Sequence, residues 1–193
     1  MRYYHGSTVG GLTALEPRLP FGAQSQEPRV YLTTSKQLSL HYIWDTRRLP
    51  MKMPMLKICD DGTLVFQEMF SGALEYFYKG VSGYIYCCEG DFPIDSAVLT
   101  SVSTDRPVPI VDREYVDDVY ERILQYEKQG KFIYERYEDL PQWRLDVIRG
   151  HVIRLIKRFD LMNDMDHPGR PFVMEKFPRY WAEAQVLHDH GLL

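Results

Sequence analysis

Cysteine is scarce in these 193 residues, with Cys59, Cys87 and Cys88 making up the whole complement. An adjacent pair cannot readily bridge to itself and an odd count makes no disulfide framework, so a reducing, cytoplasmic setting is expected. Long apolar runs are missing too. No stretch reaches the about 18 consecutive apolar residues of a membrane span, and the opening MRYYHGSTVGG has no basic segment leading into an apolar one, so neither membrane nor export signal is expected. Charge of one sign is not in excess. The 23 Lys and Arg against 27 Asp and Glu leave a net of -4, which argues against a protein that coats nucleic acid or an anionic membrane. Walker loops, GxGxxG, CxxC, HExxH and GxSxG are all absent, which removes the usual signatures of phosphate cradles, zinc and acyl transfer. Asp164, Asp166 and His167 form a short acidic loop of the kind that is ordinarily solvated, and no metal is expected there. Cys87 and Cys88 sit in an apolar run where a thiol stays protonated, so neither is expected to be a nucleophile.

What remains is an ordinary globular composition, 45% hydrophobic and 26% charged, with one peculiarity: 14 tyrosines. Tyrosine joins a flat apolar face to a polar tip, which suits half-buried strands and planar polar ligands alike. The length fits a single domain over residues 1–193, with a helical extension from about 142.

Local patterns predict the elements. Arg2 to Tyr4 reads as a strand leading into His5-Gly6-Ser7, and Gly10 to Leu15 as a turn entering a brief helix. Glu16 to Pro28 reads as a loop able to cover a ligand. Arg29 to Thr33 reads as a strand, followed by a helix capped by Thr34 or Ser35 and running through Gln37 to Tyr42. Asp60-Asp61-Gly62 between β-formers predicts a hairpin. Ser71 to Lys79 reads as a helix closed by Gly80, with strands expected at Gly83 to Cys88 and Ala97 to Ser103. Tyr115, Val119, Ile123 and Tyr126 fall at helical spacing within a helix from Glu114 to Glu127, before a strand from Lys131 to Tyr137. An amphipathic helix is expected over Trp143 to Phe159, a loop over Asn163 to Gly169, and a last helix over Pro178 to His190.

One ordered set of residues stands out: Tyr4-His5-Gly6-Ser7, then Tyr31-Leu32-Thr33-Thr34, then Tyr42, then Glu114-Tyr115-Val116. In order and spacing this set resembles the diphtheria-toxin-like ADP-ribosyltransferases. That family carries a Tyr-His-Gly-Thr segment, a strand tyrosine followed by Ser-Thr, a second tyrosine one helix later, and a Glu-Tyr-Ile segment. The likeness covers residues 1 to about 120, and Ser7 keeps the hydroxyl of the family's threonine.

The resemblance implies an α+β fold: a split, mostly antiparallel β core crossed by short helices, with the C-terminal helices added. It also implies NAD as co-substrate, an unknown protein or nucleic-acid acceptor, and release of nicotinamide. Tyr31 and Tyr42 would sandwich the nicotinamide ring, and the backbone of Gly6 would bond its carboxamide. His5 and Ser7 would complete the nucleotide site, with His5 on the adenosine ribose, and Glu114 would meet the nicotinamide ribose. The chemistry is coherent by itself, because cleaving the nicotinamide–ribose bond needs a held leaving group and a carboxylate near the developing positive charge. Each residue has a plain structural competitor: a core histidine on a carbonyl, packed tyrosines, a glutamate in a first helical turn. Glu135 and Glu138 are rival carboxylates. The alternative activities are an NAD glycohydrolase, a silent NAD- or peptide-binding protein, and an RNA 2′-phosphotransferase.

Overall fold

The structure, a computed structural model, describes residues 1–19, 27–48, 55–58, 64–92 and 101–193. It is a mixed α+β chain whose contacts divide into two compact units. The first comprises Met1–Leu49, Leu56–Phe66 and Leu74–Tyr134, and the second Pro50–Met55, Gln67–Ala73 and Glu135–Leu193.

The first unit carries the strands β1 (Arg2–Ser7), β2 (Ala14–Leu15), β3 (Val30–Thr33), β4 (Leu56–Ile58), β5 (Leu64–Gln67), β6 (Gly83–Glu89), β7 (Ser101–Thr104), β8 (Val108–Val116) and β9 (Ile133–Glu135). Its helices are α1 (Lys36–Leu40), α2 (Ala73–Tyr78) and α3 (Val119–Lys128), with β5, α2 and β9 running up to or across the division between units. A six-stranded sheet has the order β2-β8-β6-β1-β3-β7, and a three-stranded one the order β4-β5-β9. Neighbours in the six-stranded sheet pair antiparallel, as β4 does with β5, with Gly6 opposite Ile85, Ile85 opposite Glu114, and Tyr4 opposite both Cys87 and Thr33. Between β6 and β8 the register shifts once. Cys88 faces Ile110 and Cys87 faces Asp112, which leaves Val111 as an extra residue in a bulge.

Side chains alternate across the sheet. One face holds Tyr3, Val30, Leu32, Tyr86, Cys88 and Val102, which bury themselves with Leu15 and Val108 in a single cluster. Each large apolar side chain so buried contributes about 1.5–3 kcal/mol.

Strand β3, the pairing of β4 with β5, and the end of α2 at Gly80 follow the sequence reading, and Gly130 closes α3 in the same way, both glycines having φ near the left-handed value. Ser35 caps α1 by accepting a hydrogen bond from Leu38 N at 3.1 Å, but the helix stops at Leu40 with His41 as its C-cap, short of the expected Tyr42. Two readings are corrected by long-range pairing. Ala14–Leu15 is a strand against Val108 and Pro109, where a brief helix was expected. Glu114 to Val116 ends β8, and the helix begins only at Val119 behind Asp118, whose carboxylate accepts from Glu121 N at 3.1 Å and Gly80 N at 3.1 Å. The Asp60-Asp61-Gly62 turn, Ala97 to Thr100 and the middle of the 16–28 loop lie outside the described residues. That loop's ends meet, with Arg18 and Arg29 exchanging backbone hydrogen bonds of 3.1 and 3.0 Å.

The second unit is built on α4 (Gln142–Arg158), α5 (Gly169–Lys176) and α6 (Pro178–Asp189). Helix α4 buries Ile148, Val152, Leu155 and Ile156 along one stripe, as its periodicity predicts. Phe70 packs edge-on to Phe172 and Phe177 at 5.9 and 5.5 Å between centroids, and Arg149 grips Glu183 with two hydrogen bonds between α4 and α6. Helix α5 was not anticipated. Among the described residues, no helix is long and apolar enough to cross a membrane.

Candidate functional site

Five of the residues singled out in sequence, His5, Gly6, Tyr31, Tyr42 and Glu114, belong to the first unit, as does Ser7. The register distributes them over both faces of the six-stranded sheet. Glu114, Ile85 and Gly6 form one row across β8, β6 and β1, and alternation along β3 from Thr33 puts Tyr31 on that same face. His5 aligns with Tyr86 and Arg113 and therefore lies on the opposite face. Glutamate and histidine are thus not brought side by side.

Among the described residues the ladder between β1 and β3 is confined to Tyr4 opposite Thr33. Beyond it the His5 ring takes over, with Nδ1 2.9 Å from the carbonyl oxygen of Tyr31. A carbonyl only accepts, so Nδ1 carries the proton and Nε2 is left as an acceptor. Burial holds His5 below its ordinary pKa, aided by the nearby Arg18 cation and opposed by the Tyr31 carbonyl. Ser7 Oγ accepts from Val9 N at 3.1 Å and shapes the turn after β1.

Gly6 is explained by packing. A Cβ there collides with the carbonyl oxygen of Ser39 and sits 2.9 Å from Ile43 Cγ1, so the missing side chain admits α1 against β1. The reading of Gly6 as a point of close ligand approach gains nothing from its size alone. Tyr31 and Tyr42 are 38% and 48% exposed, open enough for their rings to meet a ligand.

Glu114 is held on both oxygens. Lys36 Nζ, from the first residue of α1, lies 2.5 Å from Oε2, and Arg122 Nη1, from α3, pairs with Oε1. Partial burial alone raises the Glu114 pKa, but the hydrogen bonds and charges of Lys36 and Arg122 outweigh it and keep the carboxyl below its ordinary value. Glu114 is therefore ionised at neutral pH. Its place in a strand also removes the first-helical-turn explanation for its presence.

The chain matches no family model, no curated protein and no solved structure.

The rival carboxylates Glu135 and Glu138 fall in the second unit. Glu135 ends β9, and its carbonyl accepts from Glu68 N at 3.0 Å. Glu138 lies in a 3-10 turn, where the Ser71 hydroxyl donates to its carboxylate and lowers its pKa. In the acidic loop, Asp164 Oδ1 accepts from Asp166 N at 3.2 Å and His167 Nδ1 from Gly169 N at 3.0 Å, so both side chains stabilise their own turn. Cys87 and Cys88 are buried, and burial raises both thiols, Cys88 to about 11.

Sequence reasoning missed the cations on Glu114. The available signals were Lys36 immediately after the cap residue and Arg122 one helical turn beyond Asp118. It also missed a cleft of about 400 Å³ lined by Thr8, Trp44 to Arg48, Gly80 and Val81, none of which was singled out as a site residue.

Proposed function

We propose that the first unit is an ADP-ribosyltransferase-type scaffold that binds NAD and transfers ADP-ribose, in the cytoplasm, to a protein or nucleic-acid acceptor. One observation carries the reading: an ionised carboxylate, Glu114, shares a sheet face and a cross-strand row with Gly6, beside a tyrosine on the next strand, Tyr31.

In this reading nicotinamide lies against Tyr31 and Tyr42, with its carboxamide on the backbone of Gly6, where the β1–β3 ladder has stopped. The bond between the nicotinamide nitrogen and ribose C1′ breaks, and its electron pair neutralises the pyridinium. The ribose becomes oxocarbenium-like. Glu114 accepts a hydrogen bond from the ribose 2′-hydroxyl and stabilises the positive charge, the kind of preorganised electrostatic contribution that dominates many active sites. The acceptor nucleophile then bonds to C1′ and loses its proton. His5 fixes the spacing of β1 and β3 through its Nδ1 bond to the Tyr31 carbonyl.

The ion pairs on Glu114 favour a second reading, a nucleotide-binding protein without turnover, because two cations cancel much of the carboxylate's field. Nicotinamide release from NAD separates the two. Wild type is expected to turn over, Glu114→Gln to lose about 100-fold or more in rate with binding retained, Tyr31→Ala to bind NAD more weakly, and Glu138→Gln to match wild type. NAD that binds without turnover selects the second reading, and NAD that does not bind at all sinks both.

A further inference from the structure

The carboxylate proposed to act on the ribose is paired on both oxygens, Lys36 on one and Arg122 on the other. Two paired cations offset much of the charge that would stabilise a cation developing on a substrate, so releasing them would strengthen the carboxylate's effect there.

The two cations are placed to be released. Their side chains are 41% and 26% exposed, so an incoming group reaches them from solvent, and partly exposed ion pairs are individually weak. With Glu114 they sum to one surplus positive charge. Lys36 occupies the first turn of α1, where a cation gains nothing from the peptide dipoles, so its position is not explained by helix stability. The neighbouring Tyr126 side chain also favours the Arg122 cation. Two converging cations match a diphosphate better than a carboxylate, because the diphosphate carries more charge and arginine meets phosphate oxygens in a paired geometry.

We propose that Lys36 and Arg122 form a diphosphate-sensitive latch on Glu114, holding the carboxylate in the empty protein and passing to the diphosphate of an incoming dinucleotide, which frees the carboxylate for the ribose. This rests on the NAD reading for its purpose but not for its test. Lys36 and Arg122 are positioning residues here, since they act through Glu114.

The experiment uses inorganic pyrophosphate as the probe and follows the Glu114 carboxyl by carbon NMR through a pH titration of the whole chain. In wild type, adding pyrophosphate is expected to move the Glu114 midpoint upward, towards the ordinary carboxylate range. In Lys36→Met combined with Arg122→Met the midpoint starts high and no longer responds, and pyrophosphate binds at least about tenfold more weakly. Lys36→Arg alone, which keeps the cation, restores the response and guards against a misfolded double variant. Pyrophosphate that binds while the Glu114 midpoint stays still, or that fails to bind at millimolar concentration, overturns the latch. A latch that responds in a protein releasing no nicotinamide keeps this proposal and removes the NAD reading.

Discussion

His41 Nε2 lies 2.9 Å from the hydroxyl of Tyr134, 93 residues along the chain, while His41 Nδ1 lies 3.0 Å from the carbonyl oxygen of Gln37. The carbonyl takes the Nδ1 proton, so the tyrosine donates to Nε2 and the imidazole is neutral, stacked 4.4 Å from the ring of Phe132. This pair fastens the end of α1, and with it the turn bearing Tyr42, to β9.

A buried neutral imidazole ties stability to pH. Burial pulls His41 from its ordinary 6.5 to about 4. The unfolded chain therefore takes up a proton that the folded chain refuses, and stability, intact above the ordinary value, falls as pH drops towards the folded one. The loss is about 1.4 kcal/mol per pH unit, roughly 3 kcal/mol across the whole window. His5 and His151, also lowered by burial, act in the same direction. Urea unfolding between about pH 7 and about pH 5 should show this slope, and His41→Gln should flatten much of it. An unchanged slope in that variant would mean that another group supplies it.

Two glycines should respond oppositely to alanine. Gly6→Ala drives a methyl group into the Ser39 carbonyl and is expected to cost roughly 2–3 kcal/mol, as overpacked cores do. Gly150→Ala lies inside α4 with only the Arg154 side chain at 3.5 Å, so removing a flexible residue should stabilise by about 0.5–1 kcal/mol. Thermal melts of the two variants test both signs, and a tolerated Gly6→Ala would show that α1 can shift away from β1.

Cys87 and Cys88 should resist alkylation in the native protein near neutral pH, since burial keeps both thiols protonated and covered. Iodoacetamide labelling read by mass spectrometry of the peptide containing them should show modification only after denaturant is added. Rapid native labelling would mean that β6 opens readily.

Elements with strong local signals were legible in the sequence: β3 with the Ser35 cap, the amphipathic stripe of α4, and α6 starting at Pro178. Those decided by distant partners were not. Tyr115 fits the helical spacing of Val119, Ile123 and Tyr126, yet pairing with Tyr84 claims it for β8, and the exposed Pro109, Asp112 and Arg113 hide that strand behind a loop-like composition. Helix α5 was masked by Gly169 and Pro171, both tolerable because they fall in its first turn. Of the candidate site, Glu114, Gly6 and the tyrosines were singled out in sequence, but the cations on Glu114 and the faces were not legible, because the side on which Glu114 emerges depends on pairing register across β6, and register is not written in any local pattern.

The extra residue at Val111 decides that side. Had β8 continued in step from Cys88 opposite Ile110, Glu114 would stand opposite Tyr84 and emerge on the face of His5 instead of that of Gly6. Gain or loss of a single codon in this stretch is therefore an evolutionary lever of unusual reach. It moves an acidic group through the thickness of the sheet, from one chemical neighbourhood to another, without altering any other strand.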